Sequence, residues 1–340
     1  MKISSEEAQR VKAFGRELSR ENSVGEIERI AGLFPRGHMS IVASMAGTGK
    51  TWFTEYVACQ LSIGGKILGG LVTRSKKMKC VIMAGETGTD LLNYRLSLTP
   101  WQYDTERIRA YNAVEMMMAG TNCMINTPEG QKTLTTICAV EKPDIIFFDT
   151  LISFHSADES KQSEMQNVYM FLLKLANVFD CAVVVNHHTR KRPANFVGKR
   201  FTQDDIIGSS AGVRLCASAF VIMAEADDTG GSKMTVYNPK SWLKKVPEFS
   251  YKFTENDEGL TDFEISFDTG GKNIFWSIRE RLNNLIQTYE AGTVLKVADV
   301  AKELEVSTEN LRYYMEEAVK KKILNKSKLM NETVYTVMKK

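Results

Sequence analysis

The sequence predicts an α/β protein: a mostly parallel sheet between helices, closed by antiparallel hairpins and followed by a small C-terminal domain. The first observation is a recurrence of short apolar runs rich in β-branched and aromatic residues: "MSIVAS" (39–44), "KCVIMAG" (79–85), "DIIFFDT" (144–150), "CAVVVNH" (181–187) and "AFVIMAE" (219–225). Several are apolar at nearly every position, the pattern of strands buried on both faces of a parallel sheet. The second is the helical segments between them, "KTWFTEYVACQLSIGG" (50–65) and "SEMQNVYMFLLKLANVFD" (163–180). In the latter, Val168, Phe171, Leu172, Leu175 and Val178 recur three and four apart, which makes one apolar face. Strand–helix alternation of this kind belongs to a three-layer α/β domain.

The third observation is a change of texture after Ala226. "DDTGGSKMTVYN", "EFSYKFTENDEG" and "TDFEISFDTGG" read as short strands joined by Gly, Asp and Asn turns, hence antiparallel hairpins. Residues 268–273 read as a linker, and 274–340 as a winged-helix-like domain of three helices and a two-stranded wing. Leu282, Leu285 and Ile286 mark its first helix, and Val300, Ala301 and Leu304 the second. The third carries Leu311, Tyr314, Met315 and Ala318, with Ser307 at its N-cap and Val306 and Leu311 as a staple. Residues 1–24 read as a charged, exposed helix ahead of a core spanning 25–267.

A chain of 340 residues accommodates two domains, and 43% apolar and 25% charged residues are ordinary for a globular protein. No apolar run approaches the ~18 residues of a membrane span, and the N-terminus lacks the apolar core of a secretion signal. The six cysteines are scattered, without C-x-x-C, which argues against zinc or a disulfide framework and for a reducing cytoplasm. A net charge of +3 is too small to imply nucleic acid, so local clustering has to make that case.

The most informative stretch runs from Ser44 through Met45, Ala46, Gly47, Thr48, Gly49, Lys50 and Thr51 to Trp52. A phosphate-binding loop needs backbone N–H groups aimed at phosphate, a lysine for the β and γ oxygens, and a hydroxyl for magnesium. Gly47 and Gly49 free the backbone, Lys50 supplies the charge and Thr51 the hydroxyl. A strand precedes and a helix follows, so the helix N-terminus adds partial positive charge. Ser44 stands where the general pattern begins with glycine.

"PDIIFFDT" delivers Asp149 to a strand's C-terminal end, where doubly wound folds place their ligands. Alone it could cap a helix; with Lys50 and Thr51 it reads as the magnesium-shell carboxylate. Another strand ends at Glu86, the candidate for orienting the attacking water, because the neighbour of Asp149 is Thr150 rather than an acid.

Together "SMAGTGKT", "AGETGTDLLNYRL", "PDIIFFDTLISFH", "VVVNHHTRK" and "DDIIGSSAGVRLCASAFVIM" resemble, in order, the motifs of the RepA-like branch of the RecA superfamily. These are ring-forming ATPases of plasmids, phages and integrated elements, related to DnaB-type helicases and KaiC. The resemblance covers roughly residues 25–265 and implies a RecA-like ATPase core that uses ATP and Mg2+. It places a γ-phosphate sensor at His187 or His188 and leaves open which of them faces the site. It also implies a site shared between subunits, with a cation from the neighbour. Arg214 matches that position best; Lys240, in "YNPKSW", is the alternative, weakened because Trp242 stands where relatives carry arginine. Arg214 is expected at the sheet's edge, away from Lys50. The N-terminal helix is expected either to lie across a neighbour or to be a solvated cap.

Arg190, Lys191, Arg192, Lys199 and Arg200 crowd one stretch broken by Pro193 and Gly198, a basic loop suited to sequence-independent contact with single-stranded DNA. Phe196 and Phe201 either stack on bases or anchor that loop. In the tail, Lys326 and Lys328 are the candidate phosphate contacts; acids on the third helix leave DNA contact only slightly favoured over a protein-docking role. The expected protein is therefore a homo-oligomeric, hexameric-ring ATPase and DNA helicase, working with replication proteins of the same element and with no membrane. The alternatives are a recombinase, a KaiC-like ATPase without unwinding, or an ATP-gated DNA-binding regulator or loader.

Overall fold

The computed structural model describes residues 27–74, 76–190, 202–206, 210–226, 232–255, 259–267, 278–304, 307–329 and 332–338. The first part of the chain runs β1 (Arg29–Ile30), β2 (Phe34–Pro35), β3 (Met39–Ser44), α1 (Lys50–Ile63), β4 (Gly65–Ile67), β5 (Val72–Arg74), β6 (Cys80–Ala84), α2 (Thr89–Ser97), β7 (Ile108–Asn112), α3 (Ala113–Met118) and α4 (Pro128–Glu141). It continues with β8 (Ile145–Asp149), α5 (Gln162–Val178), β9 (Ala182–His188), α6 (Ser210–Leu215), β10 (Ser218–Ala226), β11 (Ser232–Ser241), β12 (Phe249–Glu255) and β13 (Thr261–Phe267).

Nine strands form one sheet in the order β13-β12-β11-β10-β3-β9-β8-β6-β7. From β10 to β7 every pairing is parallel, and β10 through β13 pair antiparallel, so the hairpins extend the sheet as the sequence predicts. Alternate residues of each central strand feed two separate cores. Ile41, Ile146, Phe148, Val183 and Val185 pack with α4 and α5, whereas Val42, Ile145, Phe147 and Val184 pack with α1. Burial on both faces explains why these runs are apolar at consecutive positions. Pro239 sits in β11 where the register against β10 slips between Ala219 and Val221. A proline cannot donate to a ladder. There the Asn238 side chain instead donates to the carbonyls of Ala219 (2.9 Å) and Lys240 (2.7 Å).

The five expected parallel strands occur within one residue of their predicted bounds. β7, α2, α3 and α4 come in addition. Asn112 caps α3 through its side chain, accepting from the Glu115 N–H at 2.9 Å. Thr127 caps α4, with Pro128 in the first turn, where its missing N–H costs nothing. No described helix is long and apolar enough to cross a membrane.

The C-terminal unit contains α7 (Ile278–Thr288), β14 (Val294–Lys296), α8 (Val297–Leu304), α9 (Thr308–Lys320), β15 (Leu324–Leu329) and β16 (Glu332–Val337). Its sheet has the order β14-β16-β15, and its core gathers Leu282, Leu285, Ile286, Val300, Ala301, Leu304, Leu311, Met315 and Ala318. The strand before α8 is an addition to the expected helices and two-stranded wing. Residues 1–24 and 268–273, and Val306 of the expected staple, lie outside the described residues.

Candidate nucleotide site

The parallel register brings four strand ends together. Ala84 lies opposite Asp149, Phe148 opposite Val185, and Ser44 opposite His188. The loops after β3, β6, β8 and β9 therefore meet at one border of the sheet, the expected ligand side of a doubly wound fold.

After β3, Gly47 and Gly49 take left-handed backbone angles, φ 76° and 86°. A side chain at Gly49 would also collide with the Phe253 ring, 2.9 Å from where a Cβ would stand. Gly49 caps α1 without a side-chain acceptor, so the first-turn N–H groups point outward as a phosphate cradle. Ser44 does more than replace a glycine. Its hydroxyl accepts from the Lys50 ammonium at 2.9 Å and donates to the Met45 carbonyl at 2.9 Å. Lys50 also reaches the Met45 carbonyl (3.3 Å), and the Thr48 hydroxyl donates to that same oxygen at 2.5 Å. Burial lowers the Lys50 pKa, opposed by the charges of Asp149 and Glu86. Trp52 packs edge-on against Trp101 and Phe253, with the Arg95 guanidinium 5.9 Å from its ring.

Asp149 is 6% exposed, and its Oδ1 has no hydrogen-bond partner among the described residues. Burial raises its pKa, while Asn186, Thr51 and Lys50 pull it down. A buried, unsatisfied carboxylate oxygen beside a threonine hydroxyl suits Mg2+, a hard cation that takes one or two carboxylates and leaves its other positions to phosphate and water. The residues fit that ion. Asn186 in turn donates to the Thr54 hydroxyl at 2.9 Å, tying β9 to α1.

Glu86 follows Gly85, whose N–H donates to the Asp149 carbonyl at 2.7 Å. A Cβ on Gly85 would fall 2.2 Å from that of Ser153, so only glycine allows this close passage. The Thr150 hydroxyl donates to Glu86 Oε1 at 2.6 Å, and His188 Nε2 stands 3.8 Å from the same oxygen. His187 points the other way, buried toward Glu159, with 3.4 Å between Nε2 and Oε1. Strand alternation makes this choice, since Asn186 and His188 share the α1 face and His187 takes the α5 face. His188 is thus the histidine at Glu86.

Sequence reasoning missed Thr150 as a partner of Glu86, and also Asn186 and Glu159. It equally missed Glu55 of α1, 3.7 Å from Arg95 of α2, where burial pushes the carboxyl up to about 8 against the pull of Arg95. Only the hydroxyl following Asp149 was a readable signal; the other three come together by folding alone.

Arg214 lies on α6, exposed. The expectation that it sits at the sheet's edge is corrected. The following strand, β10, is interior, between β3 and β11. What separates Arg214 from Lys50 is the length of the strands: α6 ends beside the start of β10, which pairs with Ser40, whereas Lys50 follows Ser44. Arg190, Arg214 and Lys240 line one cavity of ≈ 530 Å³ with Gln203, Asp204 and Ser210. The Lys240 ammonium donates to the carbonyls of Val213 and of Arg214 (3.0 Å) and lies 5.3 Å from the Trp242 ring. Lys191, Arg192, Lys199 and Arg200, with Phe196 and Phe201, lie outside the described residues. Lys326 is paired with Glu316 at 2.6 Å, and Lys328 is exposed on the same strand.

A glycine-bearing phosphate loop opening a helix, with a buried carboxylate on a nearby parallel strand, is the arrangement of a P-loop ATPase. The family model described as "AAA domain" matches residues 17–194, and the chain belongs to that family. Comparison with curated proteins gives no match. Among solved structures the chain is similar to a KaiC-like protein from the hyperthermophilic archaeon Pyrococcus horikoshii OT3. The two share 12% identity over 70% of this chain and 100% of that one, with a TM-score of 0.44.

Proposed function

We propose that the chain is a ring-forming, ATP-dependent DNA helicase of the RepA-like type, serving replication of a plasmid, phage or integrated element. In this reading Lys50 and the α1 N-terminus hold the β and γ phosphates, and Thr51 and Asp149 hold Mg2+. When bound, that ion supplies positive charge to the phosphate oxygens. Glu86, held by Thr150, orients and deprotonates the attacking water, and His188 senses the γ-phosphate beside it. The C-terminal unit is a winged helix that engages DNA or protein, with Lys328 freer for phosphate than the paired Lys326.

The observation that carries the reading is the cavity lined by Arg190, Arg214 and Lys240. It gathers both candidate trans cations a strand's length from Lys50 and opens beside the chain that enters the basic stretch. Lys240 is engaged with two carbonyls, which favours Arg214 as the cation offered to a neighbour. Arg214→Ala and Lys50→Ala proteins should each be nearly inactive, by about a thousandfold. Mixed, they regain ATPase at interfaces where an intact loop meets an intact arginine, and the recovery falls on dilution. Full activity of Arg214→Ala alone moves the role to Lys240 or removes it.

Strand displacement from a forked duplex with ATP tests the whole reading. Unwinding supports it; filament growth along DNA identifies a recombinase, and nucleotide-gated binding without movement identifies a regulator or loader. Neutralising Lys191, Arg192, Lys199 and Arg200 together should reduce the slope of log affinity against log salt by about three for single strands. Basal ATP turnover should stay. An unchanged slope puts the DNA path elsewhere.

A further inference from the structure

We propose that Glu159, in the turn between β8 and α5, is a positioning residue for hydrolysis, acting through His187 on His188. This rests on the reading of Glu86 as the base that activates water. His187 is 4% exposed, and its Nδ1 accepts the backbone N–H of His188 at 2.9 Å. A neutral imidazole carries one ring proton, so an accepting Nδ1 puts that proton on Nε2. Burial keeps the ring neutral, with its pKa lowered to about 4.

The buried Nε2–H then needs an acceptor, because an unmet donor there is costly. It has no hydrogen-bond partner among the described residues, and Glu159 Oε1, itself without one, lies 3.4 Å away. His155, also buried, brings its own Nε2 to 4.0 Å from the same oxygen. The turn that presents Glu159 is firmly built. Ser160 donates to Asp158 Oδ1 through its N–H (2.9 Å) and its hydroxyl (2.6 Å), the Lys161 N–H donates to the Asp158 carbonyl, and the Asp158 N–H to Glu164. Without an acceptor at 159 the His187 ring turns away and releases the His188 N–H. The end of β9 loosens, and with it the placement of the His188 imidazole at 3.8 Å from Glu86. No spacing in the sequence connects these residues.

The test compares Glu159→Gln, which keeps an acceptor, with Glu159→Leu, which keeps the bulk and removes it. Glu159→Leu should lose about tenfold or more in kcat while KM for ATP stays within about twofold; Glu159→Gln should stay within about threefold of wild type in both. With only four histidines in the chain, imidazole 15N spectra can follow His187 directly. Wild type and Glu159→Gln should show the Nε2–H tautomer, and Glu159→Leu a mixture. Wild-type kcat in Glu159→Leu overturns the inference, as does an equal loss in both variants or an Nδ1–H tautomer in wild type. If Glu159→Leu does not fold, the tautomers of wild type and Glu159→Gln decide. Glu86→Gln run in parallel separates the two readings. If it turns over ATP normally, the base assignment has failed. If it is dead while Glu159→Leu is normal, only the positioning role has failed.

Discussion

Lys50→Ala protein is expected to bind Mg·ATP about 100- to 1,000-fold more weakly than wild type, a loss of about 3–4 kcal/mol. The loop offers one side-chain cation to the phosphates, and the backbone N–H groups of α1 alone cannot neutralise a triphosphate. The effect should leave the fold intact. Lys50 is 6% exposed, and its ammonium rests on Ser44 and Met45, with burial disfavouring its charge. Relief of the buried Lys50 charge is opposed by loss of the cation that compensates the buried Asp149 carboxyl, so the nucleotide-free melting temperature should change little. Calorimetric titration with a slowly hydrolysed ATP analogue measures the first effect and thermal denaturation the second. An affinity within tenfold of wild type would mean that the phosphates bind elsewhere.

Glu86→Gln should show the opposite division: nearly normal nucleotide binding and a turnover reduced by about 10²–10⁴. The amide oxygen can still accept from Thr150, and the side chain is half exposed at 53%, so neither fold nor loop position should suffer. On the proposed role, what disappears is the carboxylate that takes a proton from water beside the γ-phosphate. Single-turnover measurement with saturating ATP reads the chemical step without product release. Turnover near wild type would send the search to another carboxylate, with Glu55 the nearest untested acid on α1.

Much of this architecture was readable because burial on both faces leaves little freedom in composition: β3, β8 and β9 are largely apolar up to the polar residues at their C-terminal ends. β7 was hidden for the converse reason. As the last strand of the sheet it exposes Arg109 and Ala110, so its composition resembles a loop. The phosphate loop and Asp149 were legible since each occupies a fixed place relative to its strand. The choice between His187 and His188 was not, because sequence gives the alternation but not its phase. Arg214 was misplaced for a related reason: its local stretch does not reveal which strand β10 joins. Glu159 lies in a polar turn whose composition says only that the chain reverses there.

All six cysteines are buried, in the central body of the molecule. Burial also drives the thiols of Cys59, Cys138 and Cys181 up to about 12, so access and ionisation are suppressed together. At pH 8 a thiol of that kind is ionised in only about one molecule in ten thousand, and the thiolate is the reactive form. The buried cysteines of the folded chain are therefore expected to react slowly with maleimides until the core opens. One exposed replacement, such as Met118→Cys at a position 85% exposed, would carry the fast-reacting thiol without any cysteine first being removed. A single fluorophore per chain, attached there, would turn the proposed ring assembly into a distance measurement.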